Sequence, residues 1–254
     1  MSINITSEIL EPFLINGSVI TTLTNSGYLL YTLNMLKSLR PFHLDKKILI
    51  VCIDIKGADT LRKLGYYVVC IDEKYGEFSP WNSTDYVKIC YLKLELIYRI
   101  LSLGTNVLLV DGDIVFRKNP MDDLTIWSND TIFDVWIQND SLRDGDTKNM
   151  CTGYMFIKSN DRLITLYDVI SESGRAKYLK CAFDNNDQTY FNIYVKRACI
   201  FNALPLEKYP NGKMFYENPK LDPVLVHFNW VHGHVKMAKM KEHKMWLLSE
   251  EEEV

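Results

Sequence analysis

Between residues 18 and 113 the chain repeats one pattern. A short apolar run is followed by a stretch with helical spacing, and then by another apolar run. Ser18–Thr24 (SVITTLT), Lys46–Asp54 (KKILIVCID), Tyr66–Asp72 (YYVVCID) and Asn106–Val110 (NVLLV) read as strands. Between them lie helical stretches: Gly27–Arg40, stopped by Pro41; Ala58–Leu64, closed by Gly65; and Ser83–Gly104, with Ser83 or Thr84 as N-cap and Gly104 as C-cap. A strand without polar alternation must be covered on both faces. The expected fold class is therefore α/β, a mostly parallel sheet sandwiched by helices.

The second half is less regular. Ile132–Gln138, Cys151–Ser159 and Pro223–Val231 read as strands, and Asp161–Ser173, Asn186–Ala198 and Lys236–Leu247 as helices. No internal repeat or low-complexity linker interrupts the chain. The expected organisation is one domain over residues 1–248 with two lobes, divided near residue 113, and a solvated acidic tail at 249–254. A hydrophobic content of 47% supports a sizeable core, and a net charge of −3 gives no sign of a nucleic-acid or anionic-membrane partner. None of the six cysteines forms a Cys-x-x-Cys pair, and most sit in apolar runs, as buried thiols of a reducing compartment do. No secretory signal pattern and no apolar run of about 18 residues occurs, so a cytoplasmic chain is expected. The Asn82-Ser83-Thr84 sequon is then a chance match.

The run Asn106–Pro120 (NVLLVDGDIVFRKNP) carries the functional question. Asp-Gly between apolar runs is a hairpin signal. A hairpin, however, needs two alternating arms, whereas Val107–Val110 is apolar throughout and follows a long helix. Asp111 and Asp113 are thus expected at the carboxyl end of a buried parallel strand, where open α/β sheets bind ligands and two carboxylates can hold a divalent metal. Gly112 would serve the bend between them. Lys93 falls on one helical row with Tyr86, Ile89, Leu96 and Ile100. A lysine on an apolar face needs a partner, and Asp111 is the natural one.

Asp-x-Asp after four apolar residues fits two enzyme classes. One is the haloacid-dehalogenase-like phosphohydrolases, with Asp111 as nucleophile. The other is the metal-dependent nucleotide-sugar transferases. Position separates them: the phosphatase motif usually opens its domain, whereas here three βα units come first. A non-catalytic nucleotide- or glycan-binding module is the third alternative. With TTLTNSGY, CTGYMFIKS, NDQTYFN and HFNWVHGHVKM in order around the Asp-x-Asp, the chain resembles the nucleotide-diphospho-sugar transferases of GT-A fold and their glycogenin-like relatives, over Thr21 to Trp246.

The resemblance implies a retaining glycosyltransferase that moves a sugar from a UDP-sugar to a glycan or protein hydroxyl. Residues 18–113 would form the nucleotide half and 114–248 the donor-sugar and acceptor half. Asp113 and His227 would bind the metal, with Asp111 either a ligand or a partner of the ribose and Lys93. Two oxygens and a nitrogen suit Mn²⁺ better than Mg²⁺. Gly233 and Lys236 would grip the pyrophosphate. Thr21, Thr22 and Asn25 would receive the uracil and ribose, Tyr28 would stack on the base, and Asp85 would touch the nucleotide. Asp187 and Gln188 would orient the sugar and shelter the reacting carbon, with Gln138 and Asp140 further candidates for the sugar or acceptor pocket. Cys151 stands where relatives often carry Asn or a small residue, a departure that bears on the donor sugar. A second copy of the chain is a further partner to test.

Overall fold

The computed structural model describes residues 3–71, 83–181 and 186–252. Asp72 and Asn82, named above, lie outside these. The chain order is α1 (Ser7–Leu10), β1 (Ser18–Thr24), α2 (Leu29–Leu39), β2 (Ile48–Cys52), α3 (Ile55–Lys63), β3 (Val68–Cys70), α4 (Thr84–Leu101), β4 (Asn106–Val110) and β5 (Ile114–Phe116). It continues with α5 (Met121–Asn129), β6 (Val135–Asn139), β7 (Met150–Ile157), α6 (Asp161–Tyr167), α7 (Glu172–Leu179), α8 (Asp187–Tyr190), β8 (Phe201–Leu204), α9 (Gly212–Glu217), β9 (Leu225–His227) and α10 (Gly233–Glu242).

Seven strands form one sheet in the order β3-β2-β1-β4-β7-β6-β8. β3, β2, β1 and β4 pair in parallel; β7 is antiparallel to both β4 and β6; β8 is parallel to β6. Only β7 therefore runs against the rest, and the expected mostly parallel sheet is present. Its helices cover two faces. Along β4, Val107 and Leu109 enter the core beneath α4, whereas Leu108 and Val110 enter the core beneath α2 and α5. This alternation between two dry faces is why no polar residue interrupts the run. A third apolar cluster, including Val226, Phe228 and Met240, seats β9 and α10.

The long helix behaves as its ends dictate. Ser83 accepts from Tyr86 N–H, and Gly104 adopts φ +73° just beyond the last turn. Elsewhere the boundaries shift. The helix expected over 161–173 breaks because the Asp168 side chain accepts from the backbone N–H of Ile170 and Ser171. The helix expected over 186–198 passes into a π-helical turn at Phe191–Val195, and β8 follows, a strand not anticipated. The strand expected over 223–231 shrinks to β9, because the chain turns away through Trp230 at φ +65°. The acidic tail is tied down: Glu252 pairs with Lys37 at 2.5 Å. Among the described residues, no helix is long and apolar enough to cross a membrane.

Candidate active site

The carboxyl ends of β1 and β4, the start of β5, and the segments around β7, α8, β9 and α10 enclose one cavity of about 630 Å³. Its floor is the turn Asp111-Gly112-Asp113. Asp111 N–H donates to Gly153 O, which ties the turn to β7. β5 does not fold back on β4. It pairs with β9 in a two-stranded ladder that sets Ile114 opposite His227. That ladder carries His227 to the two aspartates across more than a hundred residues of sequence.

Asp111, Asp113 and His227 each offer a donor atom, and these atoms lie within 4.8 Å of one another. His227 Nε2 is 3.2 Å from Asp113 Oδ1 and 4.0 Å from Asp111 Oδ2. On the other side of the ring, Nδ1 lies 2.7 Å from Gln138 Oε1. Gln138 thus accepts the Nδ1–H and leaves Nε2 facing the carboxylates, the orientation a metal-ligating imidazole needs. Two carboxylates and an imidazole, partly dry and convergent, fit a divalent first-row cation.

Electrostatics tie the cluster together. Burial alone would raise the Asp113 carboxyl, yet Lys236 and His227 hold it well below the usual carboxylate range. Burial likewise opposes charge on His227, and Asp113 with Cys151 reverses this, holding the imidazole well above its ordinary value. Lys236 Nζ binds Asp113 Oδ2 and also donates to Tyr28 Oη at 2.6 Å.

The second anchor is Lys93. Its ammonium reaches Asp111 Oδ1 at 2.7 Å and Asp187 Oδ2 at 2.8 Å. Burial works against this charge, but the two aspartates hold the ammonium above its ordinary value. Asp187 also accepts from Thr152 at 2.5 Å, and Asn186 rather than Asp187 caps α8. Against the rise that burial would cause, Lys93 and Thr152 hold the Asp187 carboxyl below its usual range.

Two glycines serve close approach. A Cβ at Gly112 would meet Thr32 Oγ1 at 2.6 Å. One at Gly153 would meet His227 Cε1 at 2.3 Å and Asp111 Oδ2 at 2.7 Å. Neither has positive φ, so space rather than turn geometry requires them. Gly153→Ala is expected to push His227 and Asp111 apart, costing about 1–3 kcal/mol of stability by overpacking. Its Mn²⁺ affinity should fall more than its melting temperature implies, which metal titration beside thermal melts will measure.

The other expected residues fall unevenly. Asn25 and Tyr28 line the cavity, but the Asn25 side chain caps the turn at Tyr28 N–H, and the Tyr28 ring packs on Tyr31 with centroids 4.9 Å apart. Tyr28 is placed to hold Lys236 rather than to offer an open face to a base. Thr21 and Thr22 do not line the cavity. They are buried within β1, where Thr21 donates to Leu49 O at 2.9 Å. Thr24, at the end of the strand, takes the place expected of them. Asp85 is an exposed first-turn residue of α4, 3.9 Å from Lys88 and outside the cavity. Gln188 lines it and donates to Asp140 at 3.0 Å. Gly233, at φ +52°, opens α10 and accepts from Tyr31 Oη at 2.9 Å. Sequence reasoning met Gly153 only as part of the CTGY motif and missed Tyr31, because contacts across the fold leave no local pattern.

Among the described helices of eight residues or more, α3, α4 and α7 have an N-cap side chain that accepts from the first turn. At α10 the cap is His232, which makes no such bond, so the start of this helix faces the cavity without a side-chain cap.

Solved structures of other proteins share this fold. A galactosyltransferase, LgtC, solved with donor and acceptor sugar analogues, is 16% identical with a TM-score of 0.56, covering 91% of this chain and 98% of that one. Mouse xyloside xylosyltransferase 1 is 13% identical with a TM-score of 0.51, covering 84% and 98%. Both likenesses concern the fold, which is the GT-A arrangement. A UDP-galactose:fucoside alpha-3-galactosyltransferase of Dictyostelium discoideum is 23% identical over 92% of this chain, which spans 43% of that protein's length. The sequence model for nucleotide-diphospho-sugar transferases matches residues 43–242. That match takes in β2, β3 and β4, the Asp-x-Asp turn and His227, and it displaces the phosphohydrolase alternative: the chain belongs to the nucleotide-diphospho-sugar transferase family.

Proposed function

We propose that this chain is a metal-dependent glycosyltransferase that moves a hexosyl group from a UDP-sugar to a glycan hydroxyl with retention of configuration. The observation that carries the reading is the convergence of Asp111, Asp113 and His227 on one cavity wall, with Asp187 beside them through Lys93. These three residues would hold Mn²⁺. Such a cation, when bound, supplies Lewis-acid stabilisation of the charge that develops on the departing diphosphate.

The chain's own residues divide the remaining work. The start of α10, with its N–H groups uncapped by His232, suits a diphosphate oxygen. Lys236, paired with Asp113 and braced by Tyr28, stands one turn further on and can turn its charge to the phosphate once a cation compensates Asp113. Asp187 and Lys93 are fixed to each other and would orient the donor sugar hydroxyls. An inverting route needs a general base tuned near neutrality. Asp187 and Asp113 are both held below the usual carboxylate range, so they are weak bases. On the retaining route the leaving phosphate accepts the proton of the acceptor hydroxyl instead.

UDP-galactose is the first donor to test, from the Dictyostelium relative. A thermal-shift panel of nucleotide sugars with and without Mn²⁺ is expected to show stabilisation only when UDP and metal are both present. The anomeric configuration of the product, read by NMR, then decides between retention and inversion. The reading fails if UDP binds equally well to an Asp113→Ala variant.

Metal loading should also depend on pH. His227 shares a proton with Asp113, and Nε2 must release it to bind a cation. Loss of one proton makes Mn²⁺ affinity rise with pH by up to about tenfold per unit until His227 is neutral. Isothermal titration in buffers of different ionisation enthalpy is expected to count that proton; a flat profile would contradict the coupling.

A further inference from the structure

By sequence, Gln138 is a candidate for the sugar or acceptor pocket. The structure puts it behind the site instead. Its side chain is fully buried at the end of β6, outside the cavity lining, and faces His227. The whole amide is spent there. Nε2 donates to Pro210 O at 3.0 Å and to Tyr209 O at 3.2 Å, and Oε1 lies 2.7 Å from His227 Nδ1.

These contacts settle which end of the amide is which. Backbone carbonyls only accept, so the NH₂ group must face Tyr209 and Pro210, and the oxygen must face the ring. A carbonyl oxygen cannot donate, so Nδ1 must hold a proton. The anchor is also tied to the ligand residue itself: Pro210 O accepts from the backbone N–H of His227 at 3.3 Å. Side chain and main chain of His227 thus meet in one closed ring of hydrogen bonds through Gln138 and Pro210.

The backbone is shaped to allow this. β6 and β7 fall out of step between Ile137, opposite Met155, and Gln138, opposite Cys151, which leaves Thr152, Gly153 and Tyr154 without partners on β6. Such breaks of register re-aim side chains and gather beside active sites. Here Gly153 turns to Asp111 N–H and leaves room for the His227 ring, while Gln138 reaches Nδ1.

The site also contains an opposite pull. When the ring carries one proton, two forms compete. Asp113 Oδ1, 3.2 Å from Nε2, favours a proton on that nitrogen, a form with no lone pair left there for a metal. Gln138 Oε1 favours Nδ1–H. Cys151 Sγ, 3.6 Å from Nδ1, is a weak substitute. We infer that Gln138 is a positioning residue of the metal site: anchored on Pro210 O, it locks His227 in the Nδ1–H form and keeps Nε2 open to a cation. This rests on the metal-dependent reading and adds the residue that selects the competent form of its imidazole ligand.

The test uses the full chain with Gln138→Met, which keeps the volume but offers no acceptor, and Gln138→Glu, which still accepts from Nδ1 but sets an oxygen against Pro210 O. Two readouts are taken. One is Mn²⁺ affinity by calorimetric titration. The other is the Nδ1–H resonance of His227 in the metal-free, ¹⁵N-histidine-labelled protein, where only five histidines contribute. The parent is expected to show a downfield Nδ1–H. Gln138→Met should move or lose that signal and weaken Mn²⁺ about 10–100-fold, the scale of a lost partner to a metal-bound imidazole. Gln138→Glu should restore the signal and most of the affinity while melting no higher than Gln138→Met. If Gln138 only supported the fold, affinity would follow melting temperature across the three proteins. Mn²⁺ affinity within about twofold of the parent in Gln138→Met overturns the inference, as does an unchanged Nδ1–H resonance in that variant. A parent that binds no cation counts against the metal reading, and the resonance in the metal-free protein then decides the lock on His227 by itself.

Discussion

Asp113→Asn is expected to abolish Mn²⁺-dependent UDP binding and to lower transfer by about 10²–10³-fold or more, the several kcal/mol that a bound cation contributes to charge stabilisation. Both oxygens of Asp113 are in use: Oδ1 faces His227 and Oδ2 binds Lys236. An amide keeps the size but supplies one acceptor instead of two, and it sets an NH₂ group against a lysine or an imidazole. Asp113→Ala goes further. It strands Lys236 and His227, both buried, without their shared partner. Removing one member of a buried pair costs about 3–5 kcal/mol. The amide variant should therefore separate function from fold: nearly normal urea unfolding beside lost metal-dependent binding. Retained Mn²⁺-dependent UDP affinity in Asp113→Asn would remove this residue from the metal site.

Lys93→Met should cost about 3–5 kcal/mol of stability at neutral pH. The methionine fills the lysine's volume beneath α4 but leaves Asp187 buried with only the neutral donors Thr152 and Cys90, and Asp111 without its lysine partner. The pH dependence gives the cause away. In the parent, Asp187 is held below its ordinary value. Its contribution is complete above an unfolded carboxyl pKa of about 3.9 and is lost as pH falls through the lower folded value. Without Lys93 only the desolvation effect dominates, the folded pKa moves above the unfolded one, and protonation relieves the buried charge. The variant should thus recover stability as pH falls from neutral towards 5, opposite in sign to the parent. Urea melts across that range test it; parallel profiles for the two proteins would mean that Asp187 is not charged in the fold.

Much of this site was legible because it rests on local chemistry. The apolar run Val107–Val110 demanded two buried faces, and that placed Asp111 and Asp113 at a strand end. Lys93 on an apolar helix row demanded a counter-ion, and Asp111 is one of two it has. The sequence could not reveal Asp187 as the second, because the contact joins α4 to α8 across 94 residues of chain. Thr21 and Thr22 were misplaced for a related reason. Polar residues in a strand look ligand-directed, yet Thr21 spends its hydroxyl on a neighbouring carbonyl. Gly153 was visible only as part of the CTGY motif, without a role, since its requirement comes from the His227 ring pressed against it. Boundaries failed where side chains rewrote the backbone, as Asp168 does between α6 and α7.

The β5–β9 ladder has a consequence for the order in which the protein is made. All seven strands of the main sheet end by Leu204, so they leave the ribosome before Leu225–His227 does. The nascent chain can build its framework, with Asp111, Lys93 and Asp187 already in place, before the imidazole and Lys236 have emerged. Until then Asp113 lacks the two positive partners that hold it ionised. Arrival of the last segment does two things in one step: it closes the ladder in the register that sets Ile114 against His227, and it neutralises that carboxylate. A one-residue slip would turn His227 to the opposite side. On the proposed metal reading, competence for a cation would report that β9 has docked in register.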